Sequence, residues 1–263
     1  MKKYKYLALE KNTQGSCTLI LNNPQLKNAI NLQMISEFNE ILETLKSDKK
    51  IRVLRITGAG NVFSAGADLD WMKKSRSLSE EQNKSDALIF TNLLENIDNF
   101  PKPTIAVING HVFGGGLGII SVCDFSIAIN LSKFCFSEVK LGLIPAMIGP
   151  YILRNIGYKK AKSLFLTGEV FNSDKALEIG LIDVNTTEDK IEEITNNLVN
   201  KLLAGSPSAQ EEIKTFTSAI NQKKISKDLI NFSAEVISKI RVNPEAKEGI
   251  DAFLEKRKPK WNN

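Results

Sequence analysis

Two short loops of small residues are the parts of this sequence best suited to chemistry. They cover residues 63–69 and 109–116, and each is predicted to follow a strand and to lead into a helix. Small side chains let a ligand reach backbone N–H groups, and the first N–H groups of a helix carry a partial positive charge. Side by side, two such loops could stabilise one developing oxyanion. The spacing alone is equally consistent with two tight packing turns.

The elements that would position these loops alternate between strand and helix in the first part of the chain. Asn31 is a predicted N-cap, because the apolar residues after it recur at helical spacing. The pattern over residues 187–253 is helical almost throughout, which predicts an α/β core over residues 1–200 and a helical segment over residues 201–263. Strands are predicted at residues 6–10, 17–21, 51–57, 104–109 and 125–129, and helices at residues 32–45, 80–99, 117–123 and 173–180.

Composition and charge indicate an ordinary globular protein. Hydrophobic residues make up 42% and charged residues 25% of the chain, and the net charge is only +5. Basic residues are not concentrated as nucleic-acid binding requires, and no apolar run has the length of a membrane span or of a signal peptide. We therefore expect a cytoplasmic protein with no nucleic-acid or membrane partner.

Cysteine and histidine are too few for several common kinds of site. Cys17, Cys123 and Cys135 lie far apart in apolar stretches, so we interpret them as small buried hydrophobic residues. His111 is the only histidine, and a structural role is favoured for it over a chemical one. The HExxH, GxSxG and P-loop motifs are absent. No metal site is predicted.

Motifs spread over nearly the whole chain resemble those of the crotonase, or enoyl-CoA hydratase/isomerase, superfamily. They occur in the order in which that family has them, and the pattern looks closest to bacterial methylglutaconyl-CoA hydratase-like members. Chance does not account for a match in so many motifs in the same order. The matching stretches are residues 21–24, 28–29, 63–68, 109–110, 114–116, 123–124, 137–145, 166–169, 176–182 and 252–258.

The resemblance implies a fold, a substrate class and an oxyanion site. The fold would be a crotonase-type ββα spiral core with a helical C-terminal trimerisation segment, so we expect a homotrimer or a dimer of trimers. The substrate would be an acyl-CoA thioester, processed without a metal or redox cofactor. By position, the N–H groups of Ala67 and Gly115 would form the oxyanion hole. The substrate contacts that the resemblance implies are Ala65, Gly66, Asp68 and Leu69 beside the CoA moiety, Leu26 and Lys27 near its phosphates, and Phe253 and Lys256 reaching the CoA of a neighbouring subunit.

The predicted acid-base residue is Glu138, which lies in a motif where the family's hydratases carry one of two glutamates. The position of the second glutamate, three residues beyond Gly115, is Gly118. A single carboxylate is compatible with hydration if water, substrate or another side chain completes the set, and a one-glutamate arrangement also resembles the Δ3,Δ2-enoyl-CoA isomerases. A catalytically weak acyl-CoA-binding or scaffold protein is the third alternative. Asp68 is expected to cap the helix after its loop, and Asp124 is expected to end a helix or to bond nearby backbone.

The glycine at position 118 suggests a hypothesis about the substrate. Gly118 in place of a glutamate would vacate space and remove a negative charge. Both changes would suit a substrate that has a carboxylate of its own, such as 3-methylglutaconyl-CoA, because like charges repel strongly in a closed site.

Overall fold

The computed structural model describes residues 3–12 and 15–262 and contains two β-sheets with helices packed around them. Its strands are β1 (Leu7–Lys11), β2 (Ser16–Leu21), β3 (Val53–Gly58), β4 (Val62–Ser64), β5 (Thr104–Ile108), β6 (His111–Phe113), β7 (Phe125–Ile129), β8 (Lys133–Cys135), β9 (Val170–Asn172) and β10 (Val184–Thr186). Its helices are α1 (Leu32–Ser47), α2 (Leu69–Ser75), α3 (Glu80–Asp98), α4 (Gly115–Ser121), α5 (Gly149–Ile156), α6 (Tyr158–Thr167), α7 (Ser173–Ile179), α8 (Ile191–Leu203), α9 (Pro207–Ile220), α10 (Lys227–Arg241) and α11 (Pro244–Leu254).

From β3 to β8 the chain alternates between the two sheets as it advances. Within the described residues, the larger sheet has the strand order β1-β2-β3-β5-β7-β10, and the smaller sheet has the order β4-β6-β8-β9. Strands β3, β5 and β7 pair in parallel in the larger sheet. The short strands that follow them, β4, β6 and β8, pair in parallel in the smaller sheet. The expected ββα spiral is therefore confirmed, and each of the turns β3–β4, β5–β6 and β7–β8 adds one strand to each sheet.

The smaller sheet determines where the loops of the site lie. Because β4, β6 and β8 are neighbours that run in the same direction, their carboxyl ends meet at one edge of the sheet. The loops that leave these ends carry Ala67, Gly115 and Glu138. Strands of this kind escape prediction from sequence, because three residues are too few to display a period.

Helices α1 and α3 form where capping and apolar periodicity agree. The Asn31 side chain accepts a hydrogen bond from Met34 N at 2.9 Å, which confirms its predicted role as N-cap. Ser79 and Gln82 form a capping box at the start of α3, which ends at Asp98, one residue before the predicted end. Both helices contribute their apolar faces to the main hydrophobic cluster.

Helix α8 closes the other face of the larger sheet. Ile191 and Val199 of α8 pack with residues of β3, β5 and β7 that alternate with those facing the main cluster. A mostly parallel sheet covered on both faces is the usual arrangement. The predicted boundary between the α/β core and the helical segment, between residues 200 and 201, falls in the last turn of α8. This boundary stays a prediction.

The predicted helical region is divided into separate helices after α8. Pro207 and Pro244 stand at the first positions of α9 and α11, where a missing N–H costs no helical hydrogen bond. Among the described residues of α9, α10 and α11, only Ala252 is buried. In the parts of the chain that the structure describes, no helix is both long and apolar enough to cross a membrane.

The cysteines match their structural interpretation in two cases out of three. Cys17 and Cys135 are buried, whereas Cys123 is half-buried. Burial raises the pKa of Cys17 to about 11, and it also raises the pKa values of Cys123 and Cys135. All three therefore remain protonated thiols at neutral pH.

His111 and Asp124 both serve the fold, as expected. The Nδ1 atom of His111 accepts a hydrogen bond from Lys133 N at 3.2 Å, which links β6 to β8. The Oδ2 atom of Asp124 accepts hydrogen bonds from Thr104 N at 2.8 Å and from Lys214 Nζ at 2.6 Å. Asp124 thus joins β5 to α9.

Candidate active site

The backbone around Ala67 is held by a short parallel bridge to Ile30. Ile30 N donates to Gly66 O at 2.7 Å, and Asp68 N donates to Ile30 O at 2.8 Å. Since successive peptide groups of an extended chain point in opposite directions, the N–H of Ala67 points away from Ile30. Within residues 3–12 and 15–262, no protein group accepts a hydrogen bond from this N–H.

The loop of Ala67 touches the loop before α4 through two glycines. A Cβ atom added to Gly66 would lie 2.9 Å from Phe113 O and 3.4 Å from Gly115 N. Gly114 adopts φ 48° and ψ −122°, a conformation that is accessible essentially only to glycine. The two segments can therefore approach backbone to backbone, which brings Gly115 N beside the loop of Ala67.

Gly115 is the first residue of α4, so its N–H has no partner within the helix. Gly114 offers no side chain to cap it, and its own N–H donates to Cys135 O at 3.1 Å. Among the groups of the described residues, none accepts a hydrogen bond from Gly115 N. Ala67 and Gly115 thus each bring an available N–H donor to one small region.

A buried polar network supports the loop of Ala67, and sequence reasoning assigned no role to it. The Asn28 side chain donates to Ala59 O at 2.9 Å and to Val62 O at 2.7 Å. Ser64 Oγ donates to Asn28 O at 2.9 Å and accepts from Gly66 N at 3.2 Å. In the sequence, this network is marked by the Asn-Ala pair at residues 28 and 29 among the family motifs. The motif does not show which backbone groups the Asn28 side chain contacts.

Glu138 follows β8 and begins a short 3-10 turn, Glu138–Leu141. A Cβ atom added to Gly114 would lie 3.6 Å from Glu138 Oε1 and 3.8 Å from Gly66 Cα. The Oε2 atom is buried and, among the described residues, has no hydrogen-bond partner. Burial raises the pKa of Glu138, and a hydrogen bond with its own backbone N–H, the smaller of the two effects, lowers it. A carboxyl group that can gain and lose a proton therefore lies beside both loops.

The space expected beside Gly118 is filled. A Cβ atom added there would lie 2.5 Å from Ile148 Cγ2 and 3.1 Å from Leu94 Cδ1. The expectation that this glycine vacates space is therefore wrong, because aliphatic side chains from α3 and from the start of α5 occupy it. The absence of a second negative charge at this position remains.

The residues expected to contact the CoA moiety fall into two groups, and the first lies at the loop of Ala67. Lys27 O accepts a hydrogen bond from Ala65 N at 2.9 Å, so Leu26 and Lys27 are next to this loop. Leu69 is exposed, whereas Asp68 is only 9% exposed. Asp68 Oδ1 accepts from the N–H groups of residues 70 and 71, which confirms the helix-cap interpretation of its carboxylate.

The second group lies at the C-terminal end. Phe253 is 82% exposed, and Lys256 follows α11 in a left-handed conformation with φ 55°. Phe253 and Trp261 line a cavity of about 370 Å³ between α9, α10 and α11. Contact of Phe253 and Lys256 with the CoA of a neighbouring subunit stays a prediction.

Comparison with known proteins identifies the family. Residues 11–263 match the family model of enoyl-CoA hydratase/isomerase. The chain belongs to the enoyl-CoA hydratase/isomerase family. An enoyl-CoA hydratase from Shewanella pealeana has a similar crystal structure, with a TM-score of 0.95 and 38% identity over 98% of this chain and 97% of the other.

Curated relatives of this family member are named for more than one reaction. A crotonyl-CoA hydratase of Syntrophomonas wolfei is 30% identical over 257 residues, which is 97% of each chain. A trans-2-decenoyl-[acyl-carrier-protein] isomerase of Streptococcus mutans is 31% identical over 251 residues, which is 94% of each chain. The family, and an enzyme of hydratase/isomerase type, are thereby established.

We predict that Gly114→Ala lowers the kcat of this hydratase/isomerase family enzyme by about 10²–10³-fold. The added methyl group would face Glu138, and an alanine held in this glycine-only conformation would be strained by about 1–3 kcal/mol, so the backbone would shift away from it. Loss of one oriented N–H typically lowers kcat by about 10²–10³-fold. Gly180→Ala is a matched control, since Gly180 also has positive φ but ends α7, where, among the described residues, an added Cβ atom would meet only Asn155 O, at an ordinary contact distance of 3.8 Å. Equal kcat values for the two variants would contradict the role of the Gly115 N–H as an oxyanion donor.

We also predict that Glu138→Gln stabilises the fold at neutral pH. Because burial raises the pKa of Glu138, its ionisation penalises the folded state once the pH rises through the pKa of the unfolded chain. The variant should melt at a higher temperature than wild type at about pH 7, and the difference should vanish near pH 3. Glu188→Gln, on an exposed side chain, is the control. A difference that does not depend on pH would contradict this prediction.

Proposed function

We propose that this enzyme adds water across the double bond of an enoyl-CoA thioester. The observation that carries the proposal is the buried carboxyl of Glu138, with one oxygen lacking a partner among the described residues, beside the two loops that meet at Gly66 and Gly114. The N–H groups of Ala67 and Gly115 would hold the thioester oxygen. Oriented donors of this kind stabilise the enolate more than the neutral carbonyl.

One carboxyl group can carry the proton through the whole reaction. Glu138 accepts a proton from water as the water oxygen bonds to C3. The electron pair of the C2–C3 double bond then forms the C1–C2 double bond of the enolate, and the π pair of the carbonyl moves onto the thioester oxygen. Glu138 then returns that proton to C2 as the enolate collapses. A carboxyl whose pKa is raised by burial is suited to both steps, because its two protonation states lie closer in free energy at neutral pH.

A substrate with its own carboxylate, such as 3-methylglutaconyl-CoA, is the substrate that we propose. The support is electrostatic, because position 118 carries no second negative charge that would repel such a group. Lys27, next to Ala65, is suited to the anionic phosphates of CoA.

Isomerisation of a 3-enoyl thioester to a 2-enoyl thioester is the second candidate function. The apolar contact of Ile148 and Leu94 with Gly118 favours it, since proton transfer from C2 to C4 needs one carboxylate and no bound water. The isomerase named among the relatives agrees with this alternative. A protein that binds acyl-CoA but turns it over weakly is the third alternative.

We further propose that the chain forms a homotrimer or a dimer of trimers in the cytoplasm. The support is the C-terminal segment, whose helices bury almost none of their described side chains within one chain. Apolar residues exposed there include Ile213, Ile230, Ile237, Ile250, Phe253 and Leu254.

The absorbance of the enoyl thioester provides the test of the reaction. We expect wild type to remove this band from 2-enoyl-CoA substrates, with 3-methylglutaconyl-CoA preferred over crotonyl-CoA, and Glu138→Gln to lower kcat by about 10²–10⁴-fold. Appearance of the band from a 3-enoyl-CoA, without its loss from a 2-enoyl-CoA, would replace hydration by isomerisation. A preference for crotonyl-CoA would overturn the proposed substrate, and inactivity on every enoyl-CoA would leave a binding protein.

A further inference from the structure

The side of α4 that carries Gly118 is closed by aliphatic side chains. Gly118 lies one helical turn beyond Gly114, which is beside Glu138. A Cβ atom added to Gly118 would approach Ile148 Cγ2 to 2.5 Å, Ile148 Cβ to 3.3 Å and Leu94 Cδ1 to 3.1 Å. A Cβ atom in a protein does not approach another heavy atom as closely as 2.5 Å, so Ile148 would have to move.

Ile148 has little freedom to move. Its side chain is 2% exposed. Its carbonyl oxygen accepts hydrogen bonds from Tyr151 N and Ile152 N, each at 3.1 Å, as the N-cap of α5. The next residue, Gly149, donates its N–H to Pro145 O at 2.8 Å. The peptide group that joins Ile148 to Gly149 is therefore held through its oxygen by α5 and through its N–H by Pro145.

We infer that Ile148 is the specificity-determining residue that restricts this site to one carboxylate. While Ile148 is present, position 118 accepts no side chain larger than hydrogen without displacement of its neighbours. A glutamate introduced there would also be pressed against Ile148 and Leu94, which offer it no hydrogen bond. Gly118 and Ile148 form a complementary pair, and a second acid requires both positions to change.

The inference rests on the proposed proton transfer by Glu138, but its packing part is testable without any activity. Thermal melting of Gly118→Ala, Ile148→Ala and the double variant forms a double-mutant cycle. We expect each single variant to melt at least about 3 °C below wild type, the first by overpacking and the second by a cavity. The double variant should lose at least about 3 °C less than the sum of the two losses.

Ile148→Val is the matched control in this cycle. Valine keeps the Cβ atom and both γ carbons, including the counterpart of the Cγ2 atom that approaches Gly118, and loses only Cδ1. Gly118→Ala should therefore be rescued by Ile148→Ala and not by Ile148→Val. Additive losses, or equal rescue by valine, would overturn the inference.

The catalytic part is tested by Gly118→Glu, alone and combined with Ile148→Ala. Hydration of crotonyl-CoA by the combined variant should exceed that by Gly118→Glu alone at least tenfold. If wild type hydrates enoyl-CoA but the combined variant gains nothing over the single one, the inference is overturned while the proposed function stands. If wild type hydrates no enoyl-CoA, the proposed function fails, and the melting cycle still decides whether Ile148 closes position 118.

Discussion

The constraint on which the site depends is the parallel pairing of three very short strands. Residues 62–64, 111–113 and 133–135 lie side by side and run in one direction, so the chain leaves the sheet three times at the same edge. Each exit supplies one functional element, namely two backbone donors and one carboxyl. The larger sheet and its helices hold these strands in register, because each of the three turns β3–β4, β5–β6 and β7–β8 adds a strand to both sheets.

The second requirement is close approach without side chains. Gly66 and Gly114 allow two loops to touch through their backbones, and Glu138 lies against the same point. This arrangement opposes stability, since it keeps a carboxyl oxygen buried without a hydrogen bond among the described residues. Groups with raised pKa values of this kind occur preferentially at functional sites, where proton transfer benefits from them.

Much of this arrangement could be predicted from the sequence, but not all of it. Asn31 and the long helices follow from capping and periodicity, and Glu138 follows from motif order. The strands of three residues could not be predicted, because so short a segment displays no period. The surroundings of Gly118 could not be predicted either, since its neighbour Ile148 is thirty residues away in sequence and only the fold brings the two together. The absence of a side chain at Gly118 therefore did not leave an empty space beside it.

The account is tested most directly by a crystal structure of the enzyme with a saturated acyl-CoA bound. We predict that the thioester oxygen lies about 2.7–3.1 Å from the backbone nitrogens of both Ala67 and Gly115, the distances needed for an oxyanion hole. The carboxyl of Glu138 should then lie over C2 and C3. A thioester oxygen that contacts neither nitrogen, or a Glu138 carboxyl on the far side of a separate cavity, would contradict the account.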